Sequence, residues 1–284
     1  MNIKHTFTVA LFATILLAAC SNPEAEKAEK LYTEAEKAYT NSDWFLAAEK
    51  LDSIENGCKT AIEWRKKGHS LNYKVQLAIQ EDSLATADTM LIALTRMINE
   101  MVEQQHFVFE KTENDEIGRF YIKGTDVTPN KDRCYIHASV DEYGHTQLIS
   151  EYRGSAYINH TQLRFTGADG SQVSTAVVPL SNDGANYHFK NQGVCHETVT
   201  YVNDPALQFV DTHATDKKLR AHLLYKDGQK QYFVELSEKD RLALAYTYQL
   251  SKLLAAQLLY SQRSQVAGKK IQFLKAKIET YTHS

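Results

Sequence analysis

The stretch LRAHLLYKDGQKQYFVELSEKD, Leu219–Asp240, holds the fold class in miniature. Leu219, Ala221, Leu223 and Tyr225 alternate with polar or smaller neighbours, and Tyr232, Val234 and Leu236 repeat the alternation. Asp227-Gly228 lies between the two runs, and that dipeptide supplies the left-handed backbone of a tight turn, so the stretch predicts a β-hairpin. Ser237-Glu238-Lys239-Asp240 follows at once. A hydroxyl three residues before an acid is a capping box, which predicts a helix from that point. An antiparallel hairpin feeding directly into a helix argues for an α+β chain.

Working toward the C-terminus, the helix is predicted to run for about forty residues, or roughly 60 Å. Its seam reads Tyr246, Leu250, Leu253, Gln257, Tyr260, Ser264, Ala267, Ile271, Leu274, Ile278 and Tyr281, with spacings of four and three. That is a heptad stripe interrupted by Gln257 and Ser264. A stripe of this length must be covered by other helices, by the sheet, or by a second copy of the chain.

Working back from the hairpin, a period of two extends to about His106. Phe107 and Phe109 alternate, as do Cys134, Ile136, Ala138 and Val140, then Leu163 and Phe165, Val173, Thr175 and Val177, and Tyr187 and Phe189. Glu142-Tyr143-Gly144, Asp169-Gly170 and Asp183-Gly184 supply turns between them. Short strands at this density predict an antiparallel β-sandwich or open barrel over residues 105–236. Asp204-Pro205 predicts a short helix inside it.

Before His106 the period is helical. Ala28, Leu31, Ala35 and Ala38 line one helix, and Ala47, Leu51 and Ile54 line a second that starts at Asp43. Ala61, Trp64, Gly68, Leu71, Val75 and Ala78 line a third, and Asp82-Ser83 is read as the start of a fourth carrying Leu84, Ala87, Leu91, Leu94, Ile98 and Met101. The first two helices, with Ala38-Tyr39 on one and Asp43-Trp44-Phe45 and Ala47-Ala48 on the other, resemble one tetratricopeptide-type hairpin, which implies a packing style only. The expected division is therefore a helical region 20–104, a β domain 105–236 and a closing helix 237–284 that packs back on the N-terminal helices. Acids at Glu24, Glu26, Glu29, Glu34 and Glu36 and lysines at Lys269, Lys270, Lys275 and Lys277 would favour that return.

Residues 1–19 have a different character. Lys4 precedes an uncharged apolar run, Thr6–Ala19, that ends in the small residues Leu17-Ala18-Ala19 before Cys20. This is the layout of a secretory signal peptide. The Leu-Ala-Ala-Cys ending resembles the lipobox of bacterial lipoproteins. The resemblance implies cleavage before Cys20, acylation of Cys20 and anchorage in membrane lipid. Buried acyl chains contribute roughly 0.8 kcal/mol per CH₂. Ser21 follows in place of an aspartate, which in enteric-type bacteria directs such proteins to the outer membrane rather than the inner one.

Composition limits the remaining options. The formal charge of −3 becomes −4 when Lys4 is removed, which gives no electrostatic case for nucleic acid. Cys20 aside, Cys58, Cys134 and Cys195 are an odd set and allow at most one intrachain bridge. Cys134 and Cys195, both in strand-like segments, are the candidates for a disulfide, with three free thiols as the alternative. The eleven histidines include no pair at zinc spacing, and His137, His188 and His196 fall on the polar alternates of strands, where solvated side chains are expected. Nucleophile-elbow, phosphate-loop and papain-type patterns are absent from the sequence, so no catalytic residue, metal or cofactor is assigned. Tyr121, Tyr135, Tyr143, Tyr152, Tyr157, Tyr187 and Tyr201 make the β domain rich in rings that could contact a protein or a glycan. The expected role is that of a lipid-anchored envelope protein acting as a binding or structural module. Self-association through the last helix is one variant. A polysaccharide hydrolase using carboxylates of the β domain is the alternative.

Overall fold

The computed structural model describes residues 22–113, 115–125, 127–181 and 184–282. The lipobox residue Cys20 and the turn residue Asp183 lie outside the described residues. The chain forms two compact units. Of the described residues, one contains those up to Ser83 together with those from Ala267 onward, and the other those within Leu84–Val266. The boundary differs from the expected division because two long helices contribute to both units.

In the first unit, α1 (Pro23–Thr40) and α2 (Trp44–Gly57) form an antiparallel hairpin. The Asn22 side chain caps α1 by accepting the Glu24 N–H, and Asp43 caps α2 by accepting the Leu46 N–H. Ala28, Ala35, Ala38 and Ala47 are buried at the contact with Leu51 and Ile54, so small side chains let the helices approach closely. The expected third and fourth helices are one continuous helix, α3 (Ile62–Gln104). Asp82-Ser83 does not start a helix: Asp82 is exposed, and the helix runs unbroken through both residues from Ile62 to Gln104. A capping dipeptide acts as one only where the chain leaves the helix. The last turns of α6 (Glu238–Thr282) complete this unit, with Ala267, Ile271 and Leu274 buried, the Tyr281 ring 5.3 Å from that of Tyr73, and Lys275 paired with Glu81. Glu34 pairs with Lys50, so this acid and Lys275 have partners other than those anticipated.

The second unit holds the strands, which pair antiparallel throughout. Strands β1 (Phe107–Glu110), β2 (Arg119–Ile122), β3 (Tyr135–Asp141), β4 (Thr146–Gly154), β7 (Asn186–Asn191) and β8 (Val194–Val202) form a six-stranded sheet in the order β1-β2-β3-β4-β8-β7. Strands β5 (His160–Thr166), β6 (Gln172–Ser174), β9 (Arg220–Tyr225) and β10 (Lys230–Val234) form a four-stranded sheet in the order β10-β9-β5-β6. Neither sheet closes on itself. Their shared core contains Ile136, Leu148, Tyr152 and Val199 from the larger sheet and Leu163, Phe165, Leu223 and Val234 from the smaller one. Leu207 and Val210 of α5 (Ala206–Thr212), the helix expected after Asp204-Pro205, join it; a single helical turn, α4 (Val127–Asn130), separates β2 from β3 along the chain. The protein is therefore α+β with an open sandwich.

The hairpin read first in the sequence is β9–β10, and Lys226, Asp227 and Gly228 all take positive φ in its turn. A second apolar cluster joins the end of α3 to the start of α6: Ile98, Phe107, Ile122 and Val140 pack with Ala243, Leu250 and Leu254. Within this unit Gln257 donates to Thr95 and Ser264 to Asp88, so the two polar interruptions of the seam have partners on α3.

Candidate functional site

Inside the sandwich, three polar side chains form a chain of hydrogen bonds. Ser150 Oγ of β4 lies 2.9 Å from His160 Nε2, and His160 Nδ1 lies 2.7 Å from Glu197 Oε2 of β8. The Glu197 carboxylate also accepts the backbone N–H groups of Ile158, Asn159 and His160 at 2.5, 2.8 and 3.0 Å. Asn159 has φ +59, and this left-handed residue bends the three amides into a nest around the carboxylate. Burial works to raise the Glu197 carboxyl, but the His160 side chain and the nest amides outweigh it and hold it below the usual carboxylate range. With Nδ1–H donated to the carboxylate, Nε2 is the acceptor for the Ser150 hydroxyl.

Hydroxyl, imidazole and carboxylate thus stand in the order of an acyl-transfer triad. All three are 0% exposed, and Ser150 faces inward between Leu148 and Tyr152. No reactant reaches the hydroxyl in this arrangement. The network instead links the two sheets, since His160 belongs to the smaller and its partners to the larger.

The outer face of the larger sheet is different. Its edge strand β7 presents Tyr187 and Phe189 to solvent, 44% and 43% exposed. Their ring centroids are 6.1 Å apart with planes within 15°, and Phe189 stacks on His196 at 4.4 Å and 5°. The row arises from strand register, because Phe189 pairs with His196, Tyr187 with Thr198, Glu151 with Thr198 and Arg153 with His196. Residues at directly paired positions share a face and lie about 5 Å apart.

Polar groups flank the rings. The Thr198 hydroxyl donates to Glu151 at 2.9 Å. Burial raises the Glu151 carboxyl, against the opposing pull of Thr198 and Arg153. Burial, and then the Arg153 charge, push His196 below the usual imidazole value, so its ring is neutral near pH 7. The Arg153 guanidinium donates to the Lys131 carbonyl. The half-exposed Tyr187 and Phe189 at the outer end of this stack, with a hydroxyl, an acid and a guanidinium on the same face of the sheet, can contact a ring-shaped ligand and hydrogen-bond its edge.

Several expectations change against this geometry. Cys134 and Cys195 do not form a bridge; they and Cys58 are free thiols. Strand β4 runs between them, with Arg153 N–H on Cys134 Sγ and Gly154 opposite Cys195. Two strand spacings separate them by about 9.5 Å, beyond the ~7 Å that a disulfide spans. His188 and His196 are not solvated. His188 stacks on Tyr157 and lies 3.9 Å from Glu197 on the inner face, and burial lowers it below its usual value. Of the seven tyrosines, Tyr135, Tyr152 and Tyr201 are buried, and Tyr187 is the one in the ring row.

Glu151 and Glu197 are the two acids that burial sets apart in β4 and β8, and they project from opposite faces of the sheet, so they do not flank one bond. No group of His, Cys, Asp and Glu among the described residues could hold a metal ion, and no described helix is long and apolar enough to cross a membrane. Ser150, Glu151 and Glu197 escaped sequence reasoning because nothing in their spacing marks them; the alternation of Leu148, Ser150 and Tyr152 was the one available signal. Comparison with protein-family models and with curated proteins returns no match.

Proposed function

We propose that this chain is an exported, lipid-anchored protein of the bacterial cell envelope whose sandwich binds glycan on the outer face of its six-stranded sheet. The anchor rests on the Leu-Ala-Ala-Cys ending and the charged and apolar segments before it. Ser21 favours the outer membrane over the inner. The glycan reading rests on one observation, the stack of parallel rings Tyr187, Phe189 and His196 with Thr198, Glu151 and Arg153 alongside. Sugars offer an apolar C–H face and a rim of hydroxyls, and this surface matches both. A protein partner is favoured less, because the buried polar groups beside the rings would need matched partners across a large interface.

Two experiments test the proposal. Cys20→Ser should move the protein from the membrane to the soluble fraction; recovery of the wild type from cytosol at uncleaved mass would remove the anchor. The mature chain carrying Cys20→Ser should bind a subset of an envelope-polysaccharide array. Each aromatic contact is worth about 0.5–1.5 kcal/mol, so Tyr187→Ala with Phe189→Ala should weaken binding by roughly tenfold or more. Equal binding by the double variant would eliminate this face as the site.

A further inference from the structure

A second surface, separate from the ring row, is a cleft of about 530 Å³ where the end of α3 and strand β2 meet the first turns of α6. Ligand sites commonly fall between about 300 and 1,000 Å³. Ile122, Leu242, Ala243 and Tyr246 contribute its apolar lining, and Lys123 and Lys239 its cations, against the single acid Glu238. Lys123 is held at its main chain and Lys239 at its ammonium. Lys123 N–H donates to the carbonyl of His106, a residue at φ +55 that turns the chain out of α3. Lys239 Nζ donates to the Gly124 carbonyl at 3.4 Å, and a Cβ on Gly124 would stand 2.7 Å from that nitrogen. Gly124, at φ +81, takes a left-handed backbone that favours glycine, and the ammonium lies in the space a side chain there would enter. The positive end of the α6 dipole faces the cleft; the negative end of α3 partly offsets it, and the lysines leave a net positive charge.

We propose that this cleft binds an amphipathic anion, with an apolar body against Tyr246 and Leu242 and a carboxylate between Lys123 and Lys239. The occupant is a small molecule of the fatty-acid kind, and this site is independent of the glycan face. The test is a fluorescence titration of the mature Cys20→Ser chain with anilinonaphthalene sulfonate, followed by displacement. One saturable site is expected. Dodecanoate should displace the dye, and dodecanol should do so about tenfold less well. Lys123→Met with Lys239→Met keeps the stems and removes the charges; it should lower dodecanoate affinity about tenfold and leave the uncharged dye N-phenylnaphthylamine unaffected. Absence of saturable binding, equal displacement by acid and alcohol, or an unchanged double variant would each overturn the proposal. Binding lost from Tyr187→Ala with Phe189→Ala would move the site to the ring row and overturn it as well.

Discussion

Replacing Glu197 by Gln tests whether the buried relay holds the sandwich together. The exchange keeps volume and removes the charge. Four donors point at the carboxylate: the N–H groups of Ile158 and Asn159 on one oxygen, and the His160 N–H and Nδ1 on the other. An amide can accept the first two and not the second two. A hydrogen bond to a charged group is worth about 1.5–3 kcal/mol net, and a buried donor left facing another donor loses about that much. The His160 ring can change tautomer, accept from the new amide and donate to Ser150, which recovers one bond. The backbone N–H has no such option. One lost charged bond, plus the weakening of the other three to neutral ones, gives an expected loss of about 2–4 kcal/mol. Both tryptophans, Trp44 and Trp64, lie in the first unit and do not report on the sandwich. The appropriate assay is native-state hydrogen exchange at Ile158–His160 and along β8, in the mature Cys20→Ser chain. Ser150→Ala, which removes one neutral partner, should cost about 1–2 kcal/mol in the same assay. A Glu197→Gln loss below about 0.5 kcal/mol, the range of ordinary surface changes, would refute the relay as a structural tie.

Further outcomes follow from the geometry. Gly144→Ala should cost at least about 2 kcal/mol, because φ is +90 and the new Cβ would stand 2.5 Å from the Ser251 carbonyl oxygen; Gly170→Ala, at φ +83 in open space, should cost only about 1 kcal/mol, and equal losses by denaturant titration would contradict the close contact with α6. Burial lowers His188 and His196 in the fold, so stability is present above the unfolded value near 6.5 and is lost as pH falls through the folded values; His196→Phe should flatten that slope in a urea series. Glu151 has the opposite sign: its raised carboxyl stabilises below 4.5 and loses that contribution as pH rises through the folded value, so the midpoint of Glu151→Gln relative to wild type should improve with rising pH in the same urea series. Under native conditions an alkylating reagent should modify Cys134 first, since Cys58 and Cys195 are 0% and 2% exposed, while denatured mature Cys20→Ser chain should take three labels; faster labelling of Cys195 would contradict the placement of β8.

The legibility of the chain depended on how one-sided each element is. The β9–β10 hairpin buries Leu219, Ala221, Leu223 and Val234 and has a left-handed turn, so alternation and turn chemistry agreed. The start of α6 is equally plain: the Asp240 carboxylate accepts the Ser237 N–H and the Ser237 hydroxyl accepts the Asp240 N–H, as the capping box requires, and Asp240 also holds Arg133. Strand β8 was harder to read, since every residue from Cys195 to Val199 is buried, whichever face it points to, and its inward Glu197 looks like a solvent residue. A buried acid can be told from an exposed one only by its partners, and those come from residues 158–160, nearly forty positions away. The same reason explains His188 and His196. Polar residues on strand alternates go to solvent unless another ring or chain covers them, and here Tyr157 and Phe189 do so. The Asp82-Ser83 reading differs in the opposite direction, because a capping dipeptide has no backbone amides to cap where the helix continues on both sides of it.

The relay and the ring row are coupled through a single strand. Along β7, Asn186 and His188 face inward while Tyr187 and Phe189 face out. The Asn186 amide donates to the carbonyls of His160 and Val178 and its oxygen meets His188, while His188 lies beside Glu197. An edge strand has hydrogen-bonding neighbours on one side only, so its position depends more than usual on such side-chain contacts. Loosening the relay should therefore loosen the platform on the opposite face. Ser150→Ala leaves every group of the ring row in place, yet it removes a partner from His160 and so from the support of β7. If β7 is held in this way, and if the ring row binds glycan as proposed, that variant should bind it more weakly and exchange the β7 amides faster, by the same free energy within error. Faster exchange with unchanged affinity would mean that the rings are positioned by β8 alone, through the Phe189–His196 stack.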